Sequence, residues 1–331
     1  MSIKSLVAFL ALFGLSAVNA LAAPPKVEFV EGKYQIDVKI GGKPFTSYLH
    51  TPNPEHALPP NLVQTKPALH PVYGPSGIVM TRAYPFTEVA GESKDHPHHM
   101  GVYFTVDKVN PGDNTFWGNS KNPLPAIRHV KVKQMKGGNG KGVLETVSHW
   151  IGTDNKPVLE EERTMTFLAL DDKTWAIDLA INLKALDREV TIEDTKEGML
   201  AIRVAEFLTE KNTGRYLNSE GEEMEKGVWG KRARWIRLQG EKDGTKTGIA
   251  FLAHPETTNA PPYWHARGYG CFSVNPLGQL DFQTAHKEAE PKAFNLKIKP
   301  GDKALFKYRL VMYEGDWDKA RTEEQYQAYA K

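Results

Sequence analysis

From Val27 onward apolar and polar residues alternate along the chain. Tyr34-Gln35-Ile36-Asp37-Val38-Lys39-Ile40 runs into a turn, Gly41-Gly42-Lys43-Pro44, and Phe45-Thr46-Ser47-Tyr48-Leu49 resumes the pattern. A period of two flanking a glycine-containing turn predicts a β-hairpin with one buried face. Thr51 to Pro71 is punctuated by prolines and reads as ordered coil. Leu69 to Tyr73 and Val79 to Arg82 read as short strands. Further strand patterns occupy Ile127 to Met135, Gly142 to Ile151, Leu159 to Leu170, Thr174 to Leu183 and Glu189 to Glu193, separated by turns such as Gly137-Gly138-Asn139-Gly140. Gly198 to Leu208, Ala233 to Leu238, Gly248 to Pro255, Phe272 to Val274 and Lys303 to Tyr313 complete the series, and Asn212 to Gly227 reads as a charged surface loop.

Strands recurring at short intervals, with almost no helical period between them, predict an all-β fold: a large antiparallel β-sandwich. A doubly wound nucleotide-binding fold does not fit this pattern. The best helix is Asp316 to Lys331, with Asp316 as its cap and Trp317, Ala320, Tyr326 and Tyr329 on one packed side. No internal repeat or flexible linker divides the chain, so residues 23–331 are expected to form one domain.

The first 22 residues carry a different signature. Lys4 precedes an apolar core from Leu6 to Leu15, and Ala20-Leu21-Ala22 has the small residues of a cleavage site, predicting a secretory signal over residues 1–22. No later run is long and apolar enough to span a bilayer, so a periplasmic or secreted product without an integral membrane segment is expected. Forty-two basic residues stand against 40 acidic ones, without a basic stripe, which argues against nucleic acid as a partner. Cys271 is the only cysteine, which excludes an intrachain disulfide and a cysteine-rich metal site.

Three stretches concentrate chemistry. In Asp95-His96-Pro97-His98-His99-Met100-Gly101, three of the 11 histidines fall within four residues of one another beside a carboxylate. Such a cluster supplies metal ligands or proton-transfer groups; the structural alternative is a polar strand edge whose imidazoles bond to backbone. Asp194-Thr195-Lys196-Glu197-Gly198 through Arg203 places Glu197 at a strand junction, where it can serve as general acid or base. It reads equally as a turn in which Asp194 and Glu197 accept backbone amides and Arg203 pairs with one of them. In Pro261-Pro262-Tyr263-Trp264-His265-Ala266-Arg267-Gly268-Tyr269-Gly270, strand alternation puts His265, Arg267 and Tyr269 on one face, with Trp264 on the other. Histidine beside arginine can hold an anion or polarise an oxygen, and aromatic rings can stack on a sugar. Trp117 and Trp229, each before a glycine, line a cleft or fill the core.

These segments, together with Phe116-Trp117, Glu162-Arg163-Thr164, Arg203-Val204-Ala205 and Trp229-Gly230, occur in an order that resembles the family of secreted bacterial proteins labelled methane oxygenase PmoA. The resemblance spans roughly Tyr34 to Tyr313, with Met100 standing where the family's motif carries arginine. It implies a fold similar to galactose-mutarotase-like supersandwiches, whose concave sheets bind carbohydrate.

The leading expectation is a secreted carbohydrate-active enzyme with a sugar or glycan substrate and no required cofactor. Glu197, His99 and His265 would supply acid/base groups, Arg203 and Arg267 would hold substrate oxygens, and Asp95, His98, Trp117, Trp264 and Tyr269 would complete the site. Hydrolysis needs two carboxyls, for which Glu197 with Asp95 or Asp194 are the candidates; epimerisation or elimination needs only a base and an acid across the ring. One alternative is a non-catalytic carbohydrate-binding envelope protein. The other is a metal-dependent oxygenase or metal-binding protein holding a divalent ion on His96, His98 and His99, with Asp95 or His265 as a further ligand. An extended chain would turn His99 away from the other two histidines, so a three-histidine site requires a bend at Pro97.

Overall fold

The computed structural model describes residues 23–331 apart from 57, 61 and 119–123. The predicted signal lies outside the described residues. The fold is all-β and antiparallel. One sheet has nine strands, ordered Tyr263–Ala266, Cys271–Asn275, Gly198–Arg203, Val102–Val106, Ala68–Val72, Lys43–Leu49, Gln35–Ile40, Lys26–Glu31 and Gly138–Asn139. A second has eight, ordered Arg215–Asn218, Trp235–Lys242, Thr245–Ala253, Lys303–Glu314, Thr174–Ala185, Pro157–Asp171, Lys141–Ile151 and Ala126–Lys136. Leu296–Ile298, Val190–Ile192, Lys108–Asn110 and Asn114–Thr115 form a smaller sheet.

The predicted hairpin pairs Gln35–Ile40 with Lys43–Leu49, and the long strands of the second sheet fall where the alternation places them. Between the two large sheets lies a continuous apolar core. Phe45 meets Phe167 and Trp175 edge-on, at 6.1 and 5.2 Å between centroids, and Phe251 meets Trp264 and Phe272 at 5.3 and 5.5 Å. Each such ring contributes about 1.5–3 kcal/mol by leaving water, and edge-to-face pairing adds to it. Register then decides which residues remain for chemistry. In the strands at one end of the nine-stranded sheet, Phe104, Leu200, Ile202, Trp264, Phe272 and Val274 join the core, so their alternating neighbours Tyr103, Ala201, Arg203, His265, Cys271 and Ser273 project from the opposite face.

Four expectations need correction. The C-terminal helix runs Lys319–Tyr329, and its cap is Asp318, which accepts the Arg321 amide at 2.8 Å. Asp316 lies two residues too early for that bond and instead pairs with Lys246. On the helix Ala320 is exposed and Thr322 is buried with Tyr326, while Trp317 stacks on Tyr313 at 4.0 Å. The proposed surface loop 212–227 contains a sheet strand, Arg215–Asn218, and most of a short helix, Met224–Val228. The strand Gly198–Arg203 ends early and passes into a 3-10 turn, Glu206–Leu208. A helix the sequence pattern did not show, Gln279–Ala285, packs Phe282 against Trp229, Tyr263 and His265.

Candidate functional site

The outer face of the nine-stranded sheet carries a cross-strand row in which His265 pairs with Ser273, Ser273 with Ala201, and Ala201 with Tyr103. Two small side chains in the middle leave the bulk to the histidine and tyrosine at the ends. Above this row lies a cavity of about 530 Å³ lined by His96, His98, His99, Trp117, Lys196, Glu197, His265, Arg267 and Tyr269. The three chemistry-bearing stretches, separate in sequence, therefore converge on one hollow. Larger hollows of about 730 and 860 Å³ exist elsewhere, but neither is lined by histidine.

The histidine motif is held in a tight bend. The His99 amide donates to the His96 carbonyl at 3.0 Å, and His96 has a left-handed φ of 42°. Behind it, Gly101 has a φ of 64°, and a Cβ there would lie 2.4 Å from the Leu69 carbonyl oxygen, so only glycine lets the bend enter the Val102–Val106 strand. Met100 is fully buried with Leu49, Phe86, Tyr103 and Trp117, a packing position rather than a place for charge.

The bend is fastened from beneath by two buried guanidinium groups. Arg82 donates to the Asp95 carboxylate at 2.6 Å and to the Asp95 and His96 carbonyls at 2.9 and 3.0 Å. Arg203 donates to the same carboxylate oxygen at 2.6 Å, to Ser93 Oγ at 3.0 Å and to His99 Nδ1 at 3.3 Å. Burial alone would raise the Asp95 pKa, but Arg203, the His96 hydrogen bond and Arg82 outweigh it and hold the group at about 2. Asp95 and Arg203 thus support the site without lining it.

Burial dominates the imidazoles. His98 and His265 are both lowered to about 3, chiefly by desolvation; Lys66 adds to the effect at His98 and Arg267 at His265. His99 is also driven well below its usual value by burial and by His98 and Arg203. These three rings are neutral near pH 7. The His96 ring lies nearly parallel to those of His99 and Tyr269, at 4.9 and 5.1 Å between centroids. Pro97 lies within a bend, and among the described residues no group of three or more His, Cys, Asp or Glu side chains is arranged to hold a metal ion.

Glu197 ends the turn before Gly198–Arg203, with its carboxylate 3.2 Å from Lys196 Nζ and about a third exposed. Across the cavity, Arg267 lies over the Trp229 and Tyr269 rings at 5.6 and 5.5 Å and pairs with Glu225 at 2.6 Å. Burial raises the Tyr269 hydroxyl, which keeps its proton, and pushes the Cys271 thiol beneath to about 12. Trp117 is tied through its carbonyl to the buried Lys66, at 2.9 Å. A carboxylate among neutral imidazoles and cationic side chains can accept a proton while neighbouring groups hold oxygens.

Besides Asp95 and Arg203, two more predicted site residues do not reach the cavity. Trp264 is fully buried on the core side of its strand, donating to the Ala233 carbonyl at 2.9 Å; the alternation that brings His265 to the site carries its neighbour away. Asp194, the other candidate carboxylate, accepts the Leu280 and Phe294 amides at 2.9 and 2.7 Å. Conversely, Arg82, Glu225 and Lys66 carry no local sequence signal: each gains its position from contacts distant in the chain.

No helix among the described residues is long and apolar enough to cross a membrane. No characterised protein sequence matches the chain significantly. Among solved structures, the heparan sulfate lyase HepC from Pedobacter heparinus, a mutant form, is 10% identical over 89% of this chain with a TM-score of 0.30. This chain spans 36% of that lyase's length. The GalM/aldose epimerase homologue from C. elegans is 9% identical over 88% of this chain and all of its own, with a TM-score of 0.34. The sequence profile headed Family of unknown function (DUF6807) matches residues 35–327, and the chain belongs to that family.

Proposed function

We propose that this protein is an exported carbohydrate-active enzyme that works on a sugar or glycan by acid/base chemistry of the epimerising or eliminating kind. The observation that carries this reading is the cavity in which, among the described residues, Glu197 is the one lining carboxylate and shares the hollow with neutral imidazoles, Arg267 and Tyr269. Hydrolysis through paired carboxyls needs a second acidic group at the substrate. Asp95 is bound to two arginines and Asp194 to backbone amides, and neither lines the cavity. Epimerisation and elimination ask for less: a base, a proton donor and groups that hold oxygen. Trp117 gives the cavity an aromatic wall for the C–H groups of a pyranose, and Arg267 and Lys196 suit its oxygens.

The test is incubation of the purified chain with a panel of oligosaccharides, uronates and sugar lactones, following products by mass spectrometry and NMR. A product that disappears in Glu197→Gln, with unchanged thermal unfolding, supports the reading. Full activity in that variant removes Glu197 from the chemistry. Saturable glycan binding without any product, weakened by Trp117→Ala, would favour the binding-protein alternative.

A further inference from the structure

The histidines of the cavity have different bonding partners, and those partners fix where each ring carries its proton. Arginine and the tryptophan indole are donors only, whereas a carboxylate accepts only. Arg203 Nη1 lies 3.3 Å from His99 Nδ1, and Trp229 Nε1 donates to His265 Nδ1 at 3.4 Å. In both neutral rings Nδ1 must therefore be the bare nitrogen, and the proton must sit on Nε2. Among the described residues neither Nε2 has a hydrogen-bond partner in the protein, and both rings line the cavity. At His96 the other nitrogen is engaged: its Nδ1 faces the Asp95 carboxylate at 3.0 Å, so Nδ1 is a donor there.

We infer that His99 and His265 are neutral N–H donors that meet substrate oxygens from the two ends of the cavity, and that the substrate is a sugar whose reacting C–H lies next to a C=O, either a ring ketone or a uronate carboxyl. This rests on the acid/base reading above and narrows it. Buried N–H groups that are turned toward a cavity and lack protein acceptors suit substrate oxygens, including one that gains negative charge. Neutral imidazoles are suited to this role because a bare N–H polarises a carbonyl without surrendering its proton beforehand.

In the step itself the Glu197 carboxylate takes the proton from carbon. The C–H electron pair moves into the carbon–carbon bond while the C=O pair moves onto oxygen, giving an enolate whose oxygen the His265 N–H meets while the His99 N–H holds another oxygen of the sugar. Return of the proton from the Glu197 carboxylic acid reverses the step, and exchange of that acid with solvent labels the carbon. No oxidant or further reactant enters. Arg203 and Trp229 are positioning residues: they act through the two rings and set their tautomers.

Two measurements test this. In protein labelled with ¹⁵N-histidine, long-range ¹H–¹⁵N spectra should show pyrrole-type Nε2 and pyridine-type Nδ1 for His99 and His265. In Trp229→Phe only the His265 signals should move toward a mixture of tautomers. A protonated Nδ1 on either neutral ring in the unsubstituted protein overturns the inference. In D₂O, deuterium should enter the carbon beside C=O in a methyl ketoglucoside panel or in a methyl uronoside panel, with whichever panel exchanges identifying the source of the C=O. His265→Phe should slow exchange about a hundredfold or more with little change in KM. Conversion of methyl glucosides lacking any C=O, with no exchange in either panel, overturns this substrate class yet leaves the acid/base reading standing. Glycan binding with neither exchange nor product overturns both.

Discussion

Changing Asp95 to asparagine preserves the shape of the side chain and removes one negative charge from between two guanidinium groups. The Arg82 and Arg203 side chains are each 1% exposed, and Asp95 is 39% exposed. Removing one partner of a fully buried pair costs about 3–5 kcal/mol, but Asp95 is more than a third exposed, so solvent screening brings the expectation to about 2 kcal/mol. Linkage gives a similar magnitude. The carboxyl falls from 3.8 to about 2 on folding; at about 1.4 kcal/mol per unit, discounted for the same exposure, this is about 1–2 kcal/mol. Its sign follows from the folded value lying below the unfolded one: the contribution is complete above the unfolded pKa and is lost as pH falls toward the folded one. Urea unfolding of both proteins at several pH values should therefore show a gap of about 2 kcal/mol at neutral pH that closes on acidification from about pH 5 to pH 2. A gap below about 0.5 kcal/mol at neutrality, within the range of an ordinary surface substitution, or one that widens in acid, would refute the account of how the histidine bend is held.

The remaining predictions concern two buried charges behind the cavity. Glu161 accepts Arg163 Nε at 2.8 Å and Trp150 Nε1 at 3.0 Å, with both ionic partners at most 2% exposed; Glu161→Gln should cost about 3–5 kcal/mol in urea unfolding, and a loss under about 1 kcal/mol would sink that expectation. Lys66 is lowered from 10.5 to about 7 by burial, so between those values the unfolded chain binds more protons and stability rises with pH by at most about 1.4 kcal/mol per unit. Lys66→Met should remove that rise from the pH profile; an identical slope in both proteins would show that Lys66 stays charged in the fold.

Much of the fold was legible because alternation is a local property. Tyr34 to Leu49 states its hairpin in adjacent residues, and the strands from Ile127 to Leu183 each contain enough period-two pattern to identify themselves. The misplaced elements are those whose stability comes from tertiary contact. Arg215–Asn218 is an edge strand in a charged stretch, held by pairing with Trp235–Lys242, and Gln279–Ala285 is too short to show a helical period of its own. The helix cap was missed by two residues because Asp316 and Asp318 are chemically the same, and only the position of the first turn tells them apart.

The site was legible to a different depth. The residue types that can do chemistry declared themselves by density, and His96, His98, His99, Glu197, His265, Arg267, Tyr269 and Trp117 do meet in one cavity. The state of each group was not written in its own stretch. His96 and His99 belong to the same short motif, yet one ring is turned by the carboxylate beside it and the other by an arginine 104 residues away. His265 is set by a tryptophan 36 residues distant. A histidine in a sequence is equally a base, an acid, a ligand or a donor, and the partner that chooses among these acts through space. The same separation explains Asp95, which reads as a catalytic carboxylate beside three histidines until two arginines from elsewhere in the chain, Arg82 and Arg203, neutralise it. Nearness in sequence named the groups, and burial with long-range partners divided them between those that face the cavity and those that hold it open.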